Sequence, residues 1–268
     1  MNNALITGGL GFIGSNLVKI LLKKKIVSKC IILDSFSGFV NPIRDTFIDL
    51  RKFRLEKSKK IIIERGNAND FRLIYKILDR YKPKFIFHTA AVPLAKIDNL
   101  NAKESKNGSV DTTTNILECI NFFKSKKKYS VKRFIYFSSS MVYGNFKEKN
   151  IKEDSKCDPI GIYGALKLSG EQIIKAYNQV FDLPYTIIRP SALYGERCIS
   201  RRVGQIFIEN AIQNKPIVID GDGSDKLDFT YINDLIDGVA KAIVSKNAKN
   251  QIFNLTHGHG RAIKELIE

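Results

Sequence analysis

Over the first two thirds of the chain, short runs of β-branched and aromatic residues alternate with longer segments in which apolar side chains recur at helical spacing. The strand candidates are Ala4–Thr7, Cys30–Asp34, Lys60–Glu64, Lys84–His88, Arg133–Ser138 and Pro184–Arg189. The helical segments are Phe12–Lys24, Phe71–Arg80, Val110–Phe123, Tyr163–Phe181 and Val203–Gln213. The strands are rich in Ile and Phe and do not alternate apolar with polar. That pattern suits strands buried on both faces, as in a parallel sheet between two helical layers. The expected fold class is therefore α/β, a doubly wound parallel sheet. Residues 1–190 are assigned to the main domain, with 229–250 returning to it, and 191–228 with 251–268 form a small C-terminal α/β region. The chain reaches Glu268 within an apparent helix, so this region is expected to be small or truncated at the C-terminus. There is no internal repeat, low-complexity tract or long linker.

A chain of 268 residues with 44% hydrophobic content can bury a large core, which argues against disorder. The N-terminal MNNALITGGLGFIG enters a strand at once, with no basic stretch followed by a long apolar one, and no apolar run approaches the roughly 20 residues that cross a bilayer. A cytoplasmic protein without a membrane partner is expected. Cys30, Cys119, Cys157 and Cys198 are far apart and form neither a CxxC pair nor a zinc spacing, so they are read as reduced thiols with no metal. The net charge of +17 raises nucleic acid as a partner. The lysines, however, fall in short clusters, Lys23–Lys25, Lys59–Lys60 and Lys126–Lys128, near predicted helix ends and loops. A solvated basic surface without nucleic acid is the expected reading, and its field would draw in anionic substrates.

Residues Thr7–Gly14, TGGLGFIG, join the first strand to the first helix. Gly8 permits the tight turn, Gly11 lets the backbone approach a pyrophosphate, and Gly14 lets the helix pack closely on the strand. With Phe12 and Ile13 they form a candidate phosphate cradle at a helix N-terminus, where unpaired N–H groups point outward. This makes the main domain a Rossmann-type dinucleotide-binding domain. Asp34 ends the second strand, 20 residues beyond Gly14. A carboxylate there accepts hydrogen bonds from an adenosine ribose and repels a 2′-phosphate, so the expected cofactor is NAD rather than NADP. After the third strand comes GNAND, Gly66–Asp70, in which Asn67, followed by Ala68, is placed to meet the adenine edge.

The fifth strand ends in FSSSMVYG, and a later helix opens with YGALK, which puts Tyr163 and Lys167 at i and i+4 on one face. A lysine cation beside a phenol lowers its pKa from about 10 towards neutrality, so Tyr163 can exchange a proton with a substrate hydroxyl. Ser139 would hold the same oxygen, with Ser140 next to it on the substrate side. The chemistry that fits is hydride transfer to and from an alcohol carbon.

These motifs, with FHTAA at Phe87–Ala91, RPSALYG at Arg189–Gly195 and GDGSDKLDFTYINDL at Gly221–Leu235, cover nearly the whole chain. In them the sequence resembles the extended short-chain dehydrogenase/reductases, specifically the NAD-dependent nucleotide-sugar epimerase/dehydratase family of UDP-glucose 4-epimerase-like proteins. The resemblance implies an active site of Ser139, Tyr163 and Lys167, with Lys167 touching the nicotinamide ribose and Ala90 at the cofactor. It implies a nucleotide-sugar substrate, and a homodimer packed through Val110–Phe123 and Tyr163–Phe181. His88 falls at the family's HxAA strand end, where it supports the loop rather than performing chemistry.

Departures from the family pattern narrow the reaction. Sugar 4,6-dehydratases carry an Asp-Glu pair just after the catalytic Thr or Ser; here those positions are Ser140 and Met141, neither able to serve as acid or base for elimination. A 4-epimerase fits better, with an NAD(P)-dependent keto-sugar reductase or a dehydratase of the same family as alternatives. Ala192 and Leu227 stand where many relatives have an Asn and an Arg that meet the substrate's pyrophosphate, and Ser109-Val110 replaces an Asn-Val pair. Substitute cations are sought in GERCISRRVGQ, whose Arg197, Arg201 and Arg202 precede a predicted helix. A non-catalytic NAD sensor or nucleic-acid-binding protein would have no need for Ser139, Tyr163 and Lys167 together. A metal enzyme built on His257 and His259 lacks a third ligand nearby.

Overall fold

A computed structural model describes residues 2–36, 55, 58–91, 102–146, 150–198, 203–219 and 221–267, and structural statements refer to these. The main sheet contains strands β1 (Asn3–Thr7), β2 (Lys29–Asp34), β3 (Ile61–Arg65), β4 (Phe85–His88), β5 (Arg133–Phe137), β6 (Tyr185–Pro190) and a late strand, β9 (Gln251–Leu255). Their order is β3-β2-β1-β4-β5-β6-β9, and every neighbouring pair is parallel. The helices are α1 (Phe12–Lys23), α2 (Phe71–Tyr81), α3 (Ala102–Lys106), α4 (Thr112–Ser125), α5 (Gly161–Phe181), α6 (Val203–Ile212) and α7 (Ile232–Val244). A second, three-stranded sheet combines β7 (Ala192–Tyr194), β8 (Lys226–Tyr231) and β10 (Gly260–Ala262).

The unalternating strands are explained by two cores. Leu5, Ile31, Leu33, Ile86, Phe134, Tyr136 and Ile187 face one layer, where they meet Ile74 and Ile77 of α2, Ile116 and Ile120 of α4, and Ile174 of α5. Ala4, Ile6, Cys30, Ile32, Phe87, Ile135 and Ile188 face the other, against Leu17 and Leu21 of α1 and Leu235 and Val239 of α7. Successive residues point to opposite faces, and both faces are apolar because both are covered. This is the doubly wound Rossmann-type sheet that the sequence pattern predicts. The four cysteines are free thiols, two of them buried. No helix among the described residues is long and apolar enough to cross a membrane.

Three expectations change. Residues 251–255, assigned to the C-terminal region, instead form β9, which pairs with β6 at the edge of the main sheet; only 260–262 join the small sheet. The helix expected over Val110–Phe123 is longer and broken: α3 runs into a π-helical turn at Asn107–Asp111 before α4 begins. There the Ser109 carbonyl accepts hydroxyl hydrogen bonds from Thr112 at 2.9 Å and Thr113 at 2.8 Å, and such side-chain competition loosens the regular ladder. The apparent last helix is a single 3₁₀ turn, Ile263–Leu266.

Candidate active site

The order β3-β2-β1-β4-β5-β6 reverses direction between β1 and β4, so a crevice opens at the C-terminal ends of those two strands. Their last residues, Thr7 and His88, are register partners. The glycine loop follows β1 on one side of this crevice and Thr89–Ala91 follows β4 on the other. Gly8 has φ +67°, and a Cβ on it would lie 2.9 Å from the Ala90 amide nitrogen. A Cβ on Gly14 would stand 2.5 Å from the Gly8 carbonyl oxygen. Both positions therefore demand glycine for different reasons, backbone conformation with close approach at Gly8 and helix contact at Gly14.

Gly11 caps α1 without a side chain, so the first-turn N–H groups around Phe12 and Ile13 are not closed off by a capping hydroxyl or carboxylate. A dinucleotide pyrophosphate fits this arrangement. Asp34, almost wholly buried at the end of β2, holds the loop: its Oδ2 accepts from the Leu10 amide at 3.0 Å and its Oδ1 from the Phe36 amide at 2.9 Å. A carboxylate has about four acceptor positions, so capacity remains for ribose hydroxyls. The GNAND segment forms a turn in which Asn67 Oδ1 accepts from the Asn69 amide at 2.9 Å. Asn67 is exposed, while the Ala68 methyl packs into the core and leaves only its backbone to face a ligand.

His88 is buried and spans the crevice floor. Its Nδ1 lies 2.7 Å from Thr7 Oγ1 and its Nε2 lies 3.1 Å from Thr113 Oγ1. Burial, aided by the positive charge of Lys167, pushes its pKa down to about 3, so the ring is neutral and fully engaged. It ties β4 to β1 and α4.

Ser139 follows β5 and caps the 3₁₀ turn Ser140–Tyr143, its Oγ accepting from the Met141 amide at 3.2 Å. Helix α5 reaches this turn through Gly164, where a Cβ would lie 2.5 Å from the Met141 carbonyl oxygen. That contact brings the Tyr163 end of α5 up to the turn that Ser139 caps. Lys167, one helical turn on, is buried; its Nζ donates to the Phe137 carbonyl at 2.7 Å and lies 5.8 Å from the Tyr163 ring centroid. Burial pulls its pKa down to about 8, against the opposing pull of the Glu171 charge. Ser140 is half-buried on the same turn.

Sequence reasoning missed the polar network beneath this site. Glu171 accepts from Ser138 Oγ at 2.5 Å and pairs with Arg189, Nε to Oε1 at 2.9 Å and Nη2 to Oε2 at 2.6 Å. Arg189 Nη1 reaches the Tyr143 hydroxyl at 2.6 Å, and that hydroxyl donates to Asn254 Oδ1 on β9 at 2.8 Å. The available signal was spacing, since Tyr163, Lys167 and Glu171 follow one another at i, i+4 and i+8 along one helix stripe.

In the small sheet, Leu227 pairs directly with Arg261 across the antiparallel β8–β10 ladder. An arginine therefore stands beside the position from which the expected one is missing; it comes from a segment distant in sequence, and its Nη1 pairs with Glu265 at 3.3 Å. Arg197, with φ +64°, lines a small pocket together with Phe12, Ser15, Asn16 and Lys19 of α1. Arg201 and Arg202 lie outside the described residues. Around His257 the polar contacts are backbone ones, with the His257 and Gly258 amides donating to Asp228 at 3.0 and 2.8 Å. Among the described residues no group of three His, Cys, Asp or Glu side chains is placed to hold a metal ion.

Fold and crevice define a Rossmann-type, dinucleotide-dependent protein. The model of the NAD dependent epimerase/dehydratase family matches residues 4–256, and the chain belongs to this family; its cofactor is NAD. It is 31% identical to a putative UDP-glucose 4-epimerase of Methanocaldococcus jannaschii, over 98% of this chain and 80% of that one. It is 29% identical to a dTDP-D-glucose 4,6-dehydratase of Dictyostelium discoideum, over 94% of this chain and 57% of the relative. Among solved structures, it is similar to the UDP-glucuronic acid 4-epimerase of Bacillus cereus in complex with UDP-glucuronic acid and NAD, with TM-score 0.87, 28% identity, and 98% of this chain and 80% of that one covered. The UDP-glucose 4-epimerase of Thermotoga maritima, determined with UDP-glucose, gives TM-score 0.84 and 26% identity over 99% of this chain and 80% of that one.

Proposed function

We propose that this chain is a nucleotide-sugar 4-epimerase in which Tyr163 exchanges the proton of the sugar's O4 hydroxyl. The observation that carries the reading is the turn after Ser139: it presents Ser140 and Met141, neither of which can serve as acid or base for elimination of water. The named relatives include both 4-epimerases and 4,6-dehydratases, and this turn favours the former. NAD, when bound, supplies a reversible hydride acceptor. The chain's residues do the rest. Gly8, Gly11, Phe12, Ile13 and Gly14 cradle the pyrophosphate, Asp34 takes the adenosine ribose, Asn67 and Ala68 border the adenine, and Ala90 flanks the loop. Ser139 and Ser140 hold the reacting sugar. Lys167 supports negative charge on the Tyr163 oxygen, which takes the O4 proton and returns it once the sugar presents its other face.

For the substrate's phosphates the reading uses Arg197, Arg201 and Arg202, to which the cross-strand position of Arg261 adds a further cation, because a pyrophosphate bound without compensating charge is costly. It also makes the chain a homodimer packed through α4 and α5, on which Phe122, Val180 and Phe181 are exposed.

The test is to incubate the NAD-loaded protein with UDP-sugars and follow the sugar at C4 together with NADH absorbance. Interconversion of C4 epimers without net change in NADH is expected. Stoichiometric NADH consumption would make it a reductase, and release of water a dehydratase. Cofactor choice is tested separately. Wild-type protein is expected to bind NAD+ more tightly than NADP+, and Asp34→Ala to narrow that preference while weakening NAD+, since it removes the ribose acceptor, the repulsive charge and the anchor of Leu10. Dissociation constants by calorimetry check this; equal or tighter NADP+ binding by the wild type would sink it.

A further inference from the structure

We propose that Glu171 is a positioning residue of this site, whose carboxylate keeps Lys167 protonated and fixes the end of β5 that carries Ser139. The inference rests on the reading of Tyr163 and Lys167 as the proton-transfer pair. Glu171 lies one helical turn beyond Lys167 on the same face of α5, and its side chain is 0% exposed. A carboxylate this deep is costly unless each lone pair is used. Here Ser138 donates to Oε1, and Arg189 grips both oxygens from β6. The Ser138 contact matters because Ser138 immediately precedes Ser139, so the carboxylate links helix α5 to the strand end across which the substrate oxygen would be held.

The other groups around Lys167 cannot supply the same support. On β4, His88 is neutral. On β5, Tyr136 lies with its ring centroid 5.0 Å from Nζ, and burial raises its phenol well above the ordinary value, so it contributes a ring face and no charge. The Phe137 carbonyl accepts one Nζ proton. On α5 itself the neighbours are Tyr163 and Glu171. Around Glu171, burial likewise raises Tyr185 of β6, leaving Arg189 as the charged partner; its Nη1 turns away towards the Tyr143 hydroxyl and the Glu153 carbonyl. Lys167 is thus a buried ammonium whose offsetting negative charge, among the described residues, comes from Glu171. Loss of that charge would leave a neutral amine below Tyr163 at working pH, unable to stabilise a phenolate.

The experiment reads Lys167 directly and needs no substrate. In NAD-bound protein carrying labelled lysine, the Lys167 Cε resonance, assigned by its disappearance in Lys167→Met, is followed through a pH titration. Wild-type Lys167 is expected to titrate near 8. In Glu171→Gln the midpoint should fall by about one to two pH units, the size expected for a unit charge roughly 6 Å away in a protein environment. Glu171→Gln leaves the buried Arg189 without its charged partner and is at risk of not folding. The double variant Glu171→Gln/Arg189→Met removes both charges, and its midpoint should fall by a smaller amount in the same direction, because losing the guanidinium that grips Glu171 offsets part of the lost negative charge. A merely structural role would lower Tm and leave the titration unmoved. An unchanged midpoint in whichever variant folds overturns the proposal, whereas failure to epimerise any nucleotide sugar overturns the functional reading without touching this result.

Discussion

Tyr163→Phe is expected to lower turnover by about 10²-fold or more, the loss typical when a general acid–base group is removed, with NAD affinity nearly unchanged. The substitution keeps the ring and deletes the hydroxyl that carries the exchangeable proton. Tyr163 opens a helix whose next turn places Lys167 Nζ 5.8 Å from the Tyr163 ring centroid, so the ring's setting survives the change while its chemistry does not. Single-turnover kinetics on the true substrate, beside calorimetric NAD binding, checks the result. Wild-type turnover in this variant would mean that another residue moves the proton. Ser139→Ala should be milder, because Ser139 orients the oxygen without supplying the proton.

Gly164→Ala is expected to lower turnover by a similar factor, for a geometric reason. Alanine is the better helix former by about 1 kcal/mol, so in an exposed helix the change would stabilise. At this position the new Cβ would stand 2.5 Å from the Met141 carbonyl oxygen and 3.0 Å from Pro159 Cβ. The first of these is backbone, which cannot swing aside, so α5 must withdraw from the 3₁₀ turn. Overpacking of this kind costs about 1–3 kcal/mol, and a displacement of about 1 Å in a reacting geometry costs about 10²-fold in rate. A lowered Tm with a lowered kcat and an intact NAD dissociation constant is the expected combination. A stabilised, fully active variant would show that the close approach of α5 does not set the position of Tyr163.

The two variants separate what could be read along the chain from what could not. Tyr163 and Lys167 were legible because their relation is local: four residues on a helix return to the same face whatever lies around them. Gly164, between them in sequence, carried no comparable signal. Its importance comes from a carbonyl more than twenty residues earlier, and only the packed structure brings the two together. The same holds for the partners of Glu171: spacing puts it on the stripe of Tyr163 and Lys167, but only the fold buries it between Ser138 of one strand end and Arg189 of the next strand.

Asp34 shows a mixed case. Its place at the end of β2 followed from spacing, and so did its expected dealings with a ribose. That it also holds the glycine loop through the Leu10 amide depends on where the loop folds back, which spacing does not specify.

By itself, the sequence determined the parallel sheet, the glycine turn and the helix-borne pair, because each rests on periodicity or on backbone requirements confined to a few adjacent residues. Tertiary structure alone decided three things. It sent Gln251–Leu255 to the edge of the main sheet, because a short strand whose apolar residues are only Ile252, Phe253 and Leu255 carries no address until β6 offers an open side. It set Arg261 opposite Leu227, because antiparallel register joins residues that the sequence keeps far apart. And it closed the Ser138–Glu171–Arg189–Tyr143–Asn254 network, because buried polar groups find their partners only when β5, α5, β6 and β9 have packed and excluded the water that would otherwise satisfy them.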